Sequence, residues 1–195
     1  QDCDVRIDAE LDDFTPGDPV AGPTVGLNGG VNSSWQGPDG SYYVGGFFDH
    51  WDPLGVNVVA NSFTRLNADG TLDSTFNNVV SNPASFTPGF NADLRDLAVD
   101  ALGRIVCVGS FTAFNDVSAS HIIRINPDGT RDNTFVIGAG FNITVTKVTI
   151  LSSGKIVVTG SFETYDGTST RRIACLNDDG SLDATFLANM NNAFD

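Results

Sequence analysis

One phrase, written three times, constrains this chain more than anything else in it. It runs RLNADGTLDSTF from Arg65 to Phe76, RINPDGTRDNTF from Arg124 to Phe135 and CLNDDGSLDATF from Cys175 to Phe186. An Asn, an Asp-Gly pair, a second Asp and a closing Thr-Phe recur in every copy. The recurring positions are Asp69, Gly70, Asp73 and Phe76; Asp128, Gly129, Asp132 and Phe135; and Asp179, Gly180, Asp183 and Phe186. Self-similarity at a period of about 50 residues marks stacked modules, each too small to cover its own apolar face, so the fold is read unit by unit.

Each unit opens on Gly-Leu-Asn or Gly-Phe-Asn, at Gly26, Gly89 and Gly140, and runs into a strand candidate at Val31, Leu94 and Val145. In the last of these Val145, Lys147 and Thr149 alternate with Thr146, Val148 and Ile150, the two-residue period of a half-buried strand. Turns follow at Pro38-Asp39-Gly40, Ala101-Leu102-Gly103 and Ser152-Ser153-Gly154, where Gly supplies a positive φ. The next segments, SYYVGGFF, RIVCVGSF and KIVVTGSF, are short, β-branched and aromatic, and read as strands buried on both faces. Within them Gly45, Gly109 and Gly160 read as one register, a site of close backbone approach. Phe47, Phe111 and Phe162, two residues on, are expected to fill the adjoining layer.

A variable loop comes next, longest at Asp49 to Ser62, then a third strand in SFTRLN, HIIRIN and RRIACLN, then the Asp-Gly hairpin and a fourth short segment ending in Thr-Phe. Asp73, Asp132 and Asp183 are expected to accept backbone N–H bonds at the hairpin exit. Four short hairpin-linked strands per unit is the layout of a propeller blade. The expected fold is therefore all-β, a propeller-like array of three four-stranded antiparallel blades over residues 26–195. The blades span about 26–88, 89–139 and 140–193, and 194–195 begins a fourth. An acidic, Pro-containing arm or linker occupies 1–25, with a short alternating strand at Asp4 to Leu11. Three blades make an incomplete ring, so further chain or further subunits are expected to complete it.

The strings GKIVVTGSF and RIACLNDDGSLDATF resemble the delta-60 repeat, a β-propeller-type family of secreted and cell-surface bacterial proteins and some bacteriophage structural proteins. The resemblance covers about residues 26 to 193. It implies the propeller architecture and an extracellular, cell-surface or virion setting, and it brings no catalytic motif. The long first loop and the Thr-Arg-Asp at Asp132 depart from the usual repeat.

Composition narrows the function classes. A net charge of -14, with the basic residues scattered, argues against a grip on nucleic acid. No run approaches the ~18 apolar residues of a membrane-spanning helix. Cys107 and Cys175 sit in strand-like runs and are expected as buried free thiols, a bridge involving Cys3 being the alternative.

Asn177, Asp179 and Asp183 are weak calcium candidates, but Gly arrives too early for an EF-hand loop and a turn role is preferred. His50 and His121 lie too far apart in sequence to suggest a metal site or a hydrolase triad, and no nucleophile-elbow, zincin or P-loop motif occurs. Paired carboxylates facing each other across a propeller mouth are the one hydrolytic arrangement left open. Phe48, Asp49, His50, Trp51 and Asp52, aromatics with acids on a loop, form a candidate contact surface for glycan or protein, with Trp51 covering the blade edge as the plainer reading. The expected function is a non-catalytic structural and interaction module that needs no cofactor and associates with protein partners and with itself. A carbohydrate- or receptor-binding adhesion module, with cell-surface glycan as partner, is the alternative, and a secreted hydrolase domain is third.

Overall fold

The computed structural model describes residues 26–52, 58–76 and 88–192. The expected arm at 1–25 with Cys3, most of the insertion before Gly89, and the start of a fourth unit at 194–195 lie outside these residues.

The first unit contains β1 (Gly26–Leu27), β2 (Gly30–Gln36), β3 (Tyr42–Phe47), β4 (His50–Asp52), β5 (Val58–Val59) and β6 (Phe63–Leu66). The second contains β7 (Leu94–Val99), β8 (Ile105–Gly109), β9 (Ala113–Phe114), β10 (Val117–Ser118) and β11 (Ile122–Ile125). The third contains β12 (Val145–Ile150), β13 (Ile156–Gly160), β14 (Thr164–Tyr165), β15 (Thr168–Ser169), β16 (Ile173–Leu176) and the helix α1 (Ala184–Asn192).

Each unit folds into an antiparallel sheet, ordered β2-β3-β6, β7-β8-β11 and β12-β13-β16. The anticipated four-stranded blade is corrected to three strands plus a remnant. Leu72, Arg131 and Leu182 each make one isolated bridge, to Leu66, Ile125 and Leu176. The Asp-Gly turn reverses the chain at once, and the Thr-Phe step then carries it off the sheet. In the third unit that step opens α1 instead of ending a strand.

The variable loops are not structureless. Each folds a small hairpin outside the sheet: β4 on β5, β9 on β10, β14 on β15. In the third unit the hairpin turns on Asp166-Gly167, both at positive φ, the chemistry of a type I′ turn.

The three blades pack face to face in sequence order, with β7 lying against both β2 and β12. One apolar layer joins Tyr43, Phe63 and Phe76 of the first blade to Phe90, Leu94, Leu97, Ile105 and Cys107 of the second. Another joins Val106, Val108, Ile122 and Phe135 of the second to Phe141, Val145, Val148, Ile156 and Val158 of the third. Successive residues of β8 thus face opposite neighbours, and all five are buried. The expectation of a strand covered on both sides holds in full for the middle blade, whereas β13 is buried on one side and half-buried on the other.

Register departs from the sequence reading in two places. Every inner strand carries a bulge, between Val31 and Ser33, Leu94 and Asp96, and Val145 and Lys147. The inserted residue puts Val145 and Val148 on the same buried face, so the simple alternation expected there does not hold.

The second departure concerns the first unit's glycine and phenylalanine. The residue equivalent to Gly109 and Gly160 is Gly46, not Gly45. A Cβ at any of the three would fall 2.1, 2.2 or 2.4 Å from a backbone oxygen of the inner strand, on Gly30, Asp93 or Thr144. The phenylalanine equivalent to Phe111 and Phe162 is accordingly Phe48, 5% exposed, whereas Phe47 is 68% exposed. Gly45 has a different task, since a Cβ there would meet the Leu94 side chain at 2.4 Å.

The corrected register makes an opposed pair of expectations. Phe48→Ala should cost about 3 kcal/mol or more in urea unfolding, as for other buried aromatics. Phe47→Ala should shift stability by no more than about 0.5 kcal/mol. Equal effects would show the register to be wrong.

Candidate functional site

The repeated residues first account for themselves as structure. In every unit the opening Asn accepts two backbone N–H bonds from the start of the small hairpin. Asn91 Oδ1 takes those of Thr112 at 2.9 Å and Ala113 at 3.0 Å, Asn142 takes those of Glu163 and Thr164, and Asn28 those of Asp49 and His50. The preceding aromatic is clasped: Phe90 lies 4.2 Å from Phe111 and 4.9 Å from Phe114, and Phe141 lies 4.3 Å from Phe162 and 4.5 Å from Tyr165. The three-residue opener therefore ties each hairpin to its own blade, a role visible only as recurrence in the sequence.

The candidate contact loop falls on this framework. Leu27 pairs with Trp51 as Phe90 does with Phe114 and Phe141 with Tyr165. Trp51 is half-buried beside Phe48, Val44 and Ala60. Phe48 is core, and Asp52 is the last residue of β4. Among its described residues Asp49 is exposed and His50 half-buried, with His50 Nδ1 2.6 Å from Asp49 Oδ1. Hydrogen bonds from Asn28 and His50 hold the Asp49 carboxyl below its ordinary value. His121 stands apart from His50, with Nδ1 3.1 Å from the Gly109 carbonyl.

At the Asp-Gly turns the carboxylates are engaged in their own loops. Asp69, Asp128 and Asp179 each accept the N–H and the hydroxyl of the residue two positions on, at 2.9 to 3.0 Å and 2.6 to 2.7 Å. Asp73 and Asp132 do the same for Thr75 and Thr134, and Asp183 accepts the N–H groups of Thr185 and Phe186. The exit role expected of Asp73, Asp132 and Asp183 is what the structure has. Of the calcium candidates, Asn177 bonds Ser181, Asp179 holds Ser181 and Asp183 also takes Lys155 at 2.5 Å, and among the described residues no three His, Cys, Asp or Glu side chains converge as a cation site.

A charged seam joins the second and third blades beside these turns. Arg124, 1% exposed, gives its Nε to Asp132 at 2.7 Å and its Nη1 to Asp178 Oδ1 of the next blade, also at 2.7 Å. Arg104 binds Asp100 and Asp178, each at 2.6 Å. This seam floors a groove of about 520 Å³ lined by Leu102, Ile150 and Leu151. Its two guanidinium groups face three carboxylates, Asp100, Asp132 and Asp178, so it offers no net positive charge to a ligand. Cys107 and Cys175 are buried free thiols, and burial pushes both up, beyond ready ionisation.

A second cleft, of about 310 Å³, opens between the first and second blades, with Phe47 at its lip and Asn28, Asp49, Asn61, Asn91 and Asp93 around it. Phe47 was expected in the core, and the structure makes it the one exposed ring of this cleft.

Hairpin modules stacked face to face, with the same turn, the same bulge and the same clasped opener three times over, define the chain as a β-propeller repeat protein. It belongs to the family described as "Domain of unknown function (DUF5122) beta-propeller", whose model matches residues 37–76, 103–135 and 151–186, more than half the chain. No curated protein matches it.

Two outcomes test the seam and the turns. Arg124→Met takes from Asp132, 6% exposed, its 2.7 Å guanidinium partner and leaves it only Arg104 at 3.9 Å, and should destabilise the protein by about 3 kcal/mol. Hydrogen bonds from Thr71, Thr130 and Ser181 also hold Asp69, Asp128 and Asp179 below ordinary carboxylate values. At Asp73 and Asp132 burial opposes this, and bonds from Thr75 and Thr134, with Arg65 and Arg124, outweigh it. The folded state then binds fewer protons than the unfolded chain in acid. Stability from these groups is present above about pH 4 and is lost as the pH falls through the lowered folded values. Urea midpoints should fall steeply between about pH 4 and pH 3; a flat acid limb would contradict the carboxylate roles.

Proposed function

We propose that this chain is a non-catalytic structural and interaction module of an extracellular assembly, cell surface or virion, working by association of its blades with copies of itself or with neighbouring subunits. One observation carries the reading. The side of the third blade turned away from the second presents Val157, Thr159, Ile173 and Phe186, the positions that in the second blade are Val106, Val108, Ile122 and Phe135. There they are 0%, 0%, 0% and 2% exposed because the next blade covers them. In the third blade all four are half-buried. Apolar surface built for a neighbour is what an assembly module offers. The delta-60 resemblance and a surface rich in acids and poor in lysine support an extracellular or virion setting.

A carbohydrate-binding reading is favoured by a separate observation, the exposed ring of Phe47 beside amide and carboxylate side chains.

Sedimentation velocity across a concentration series tests the association. Self-associated species are expected for the native chain, and Val157→Lys with Ile173→Lys should abolish them with the circular dichroism unchanged. A monomer at all concentrations, together with no capture of subunits from its own source assembly, would end the proposal.

A further inference from the structure

The cleft between the first and second blades has a counterpart between the second and third, and the comparison shows what is special about it. Phe47 stands where the other units have Ser110 and Ser161, and Asp93 stands where the third unit has Thr144. At the later junction the Thr144 hydroxyl reaches Ser110 Oγ at 3.5 Å and bridges the blades. At the earlier junction no such bond can form, because a phenyl ring accepts no such bond and Asp93 turns instead to Arg95 at 3.1 Å. The junction is left as a cleft of about 310 Å³ with a ring 68% exposed at its lip.

That ring does nothing for the fold, since serine serves at both equivalent positions. The groups facing it are held in place beforehand: Asn28 by the N–H groups of Asp49 and His50, Asn91 by those of Thr112 and Ala113, and Asn61 by the Pro88 carbonyl at 2.6 Å. We propose that this cleft is a carbohydrate subsite for a single neutral hexopyranose at the end of a glycan, a proposal that rests on the carbohydrate-binding reading and names its place. The C–H face of a pyranose stacks on Phe47, and its hydroxyls donate to the carboxylates of Asp49 and Asp93. A cleft of this size has room for a pyranose ring. Its two carboxylates, on a chain of net charge -14, reject sugars that themselves carry a carboxylate.

The test is a titration of the ¹⁵N-labelled chain with methyl β-D-galactopyranoside and methyl β-D-glucopyranoside, with methyl β-D-glucuronide as the anionic control. The variant is Phe47→Ser, which installs the residue the other two units use and so leaves folding intact, as its melting curve will show. Saturable shifts confined to the amides of 26–30, 47–50 and 89–95 are expected, with millimolar affinity for at least one neutral sugar. The Phe47→Ser chain should bind about tenfold more weakly or not at all, and the glucuronide likewise. Absence of saturable shifts there, unchanged binding by Phe47→Ser, or equal binding of the glucuronide would overturn the subsite. Retention of both the native chain and Phe47→Ser on a mixed-glycan surface would place glycan recognition elsewhere and sink the subsite alone. Retention of neither would sink the carbohydrate reading with it.

Discussion

Burial of one blade's face by the next is the interaction on which the rest of this structure depends. A single three-stranded sheet of four- to seven-residue strands has no interior of its own. It acquires one only where rings such as Phe63 and Phe90, 5.9 Å apart, meet across two blades. Close stacking in turn dictates the backbone. Phe90 and Phe141 donate their N–H groups to Asn61 and Ser120 of the preceding blade, at 3.0 and 3.1 Å. The preceding Gly89 and Gly140 sit at φ +90° and +72°, and a Cβ on either would fall 2.4 or 2.6 Å from the same carbonyls. At Gly89 and Gly140 the glycine of the opener is therefore a condition of blade contact, not a loop preference.

Polar groups follow the same logic and change together from unit to unit. Arg124 spans to Asp178 in the next blade, and the residue equivalent to Asp178 in the second blade is Pro127, which has no carboxylate. Arg65, the equivalent of Arg124, accordingly turns back to Asp39 and Asp73 in its own blade. In the third unit the arginine is replaced by Cys175, and Lys155 supplies the cation that Asp183 needs. Near the inner strands Ser33 Oγ donates to Asp96 at 2.9 Å, and Asp96 in turn accepts the Val148 N–H at 3.1 Å. A carboxylate between two blades thus takes hydrogen bonds from both, which a hydrophobic layer alone could not arrange in register.

The architecture was legible in the sequence because recurrence reports on contacts that every unit makes. The Asp-Gly turn, the glycine turns and the strand starts at Leu94 and Val145 all stand where the repeat puts them. What was not legible has physical causes. SYYVGGFF doubles both its glycine and its phenylalanine, so two registers fit the letters, and only the 2.1 Å approach to the Gly30 carbonyl selects Gly46. Bulges leave no compositional mark, since the extra residue is Asn32, Arg95 or Thr146, all ordinary on a solvent face. Short hairpins such as Ala113–Phe114 with Val117–Ser118 are below the length at which alternation can be seen. The cleft was missed for the same reason as the register: with Phe47 assigned to the core, nothing marked the junction beneath it as different.

The two outward faces of the array are unlike each other, and the difference bears on how it can grow. On the first blade Ser34, Gln36 and Thr64 occupy positions that are Leu97, Val99 and Ile123 in the second blade and Val148, Ile150 and Ala174 in the third. Those three positions are polar, while Tyr42, Val44 and Leu66 keep the rest of that face apolar. On the third blade Thr149 and Thr159 are polar, and Val157, Ile173 and Phe186 remain. A neighbour added to the third blade gains a layer of the kind that Val106, Ile122 and Phe135 form in the second, while one added to the first would have to cover the exposed Ser34 hydroxyl and replace its water. That difference is the reason the proposed association is assigned to the third blade.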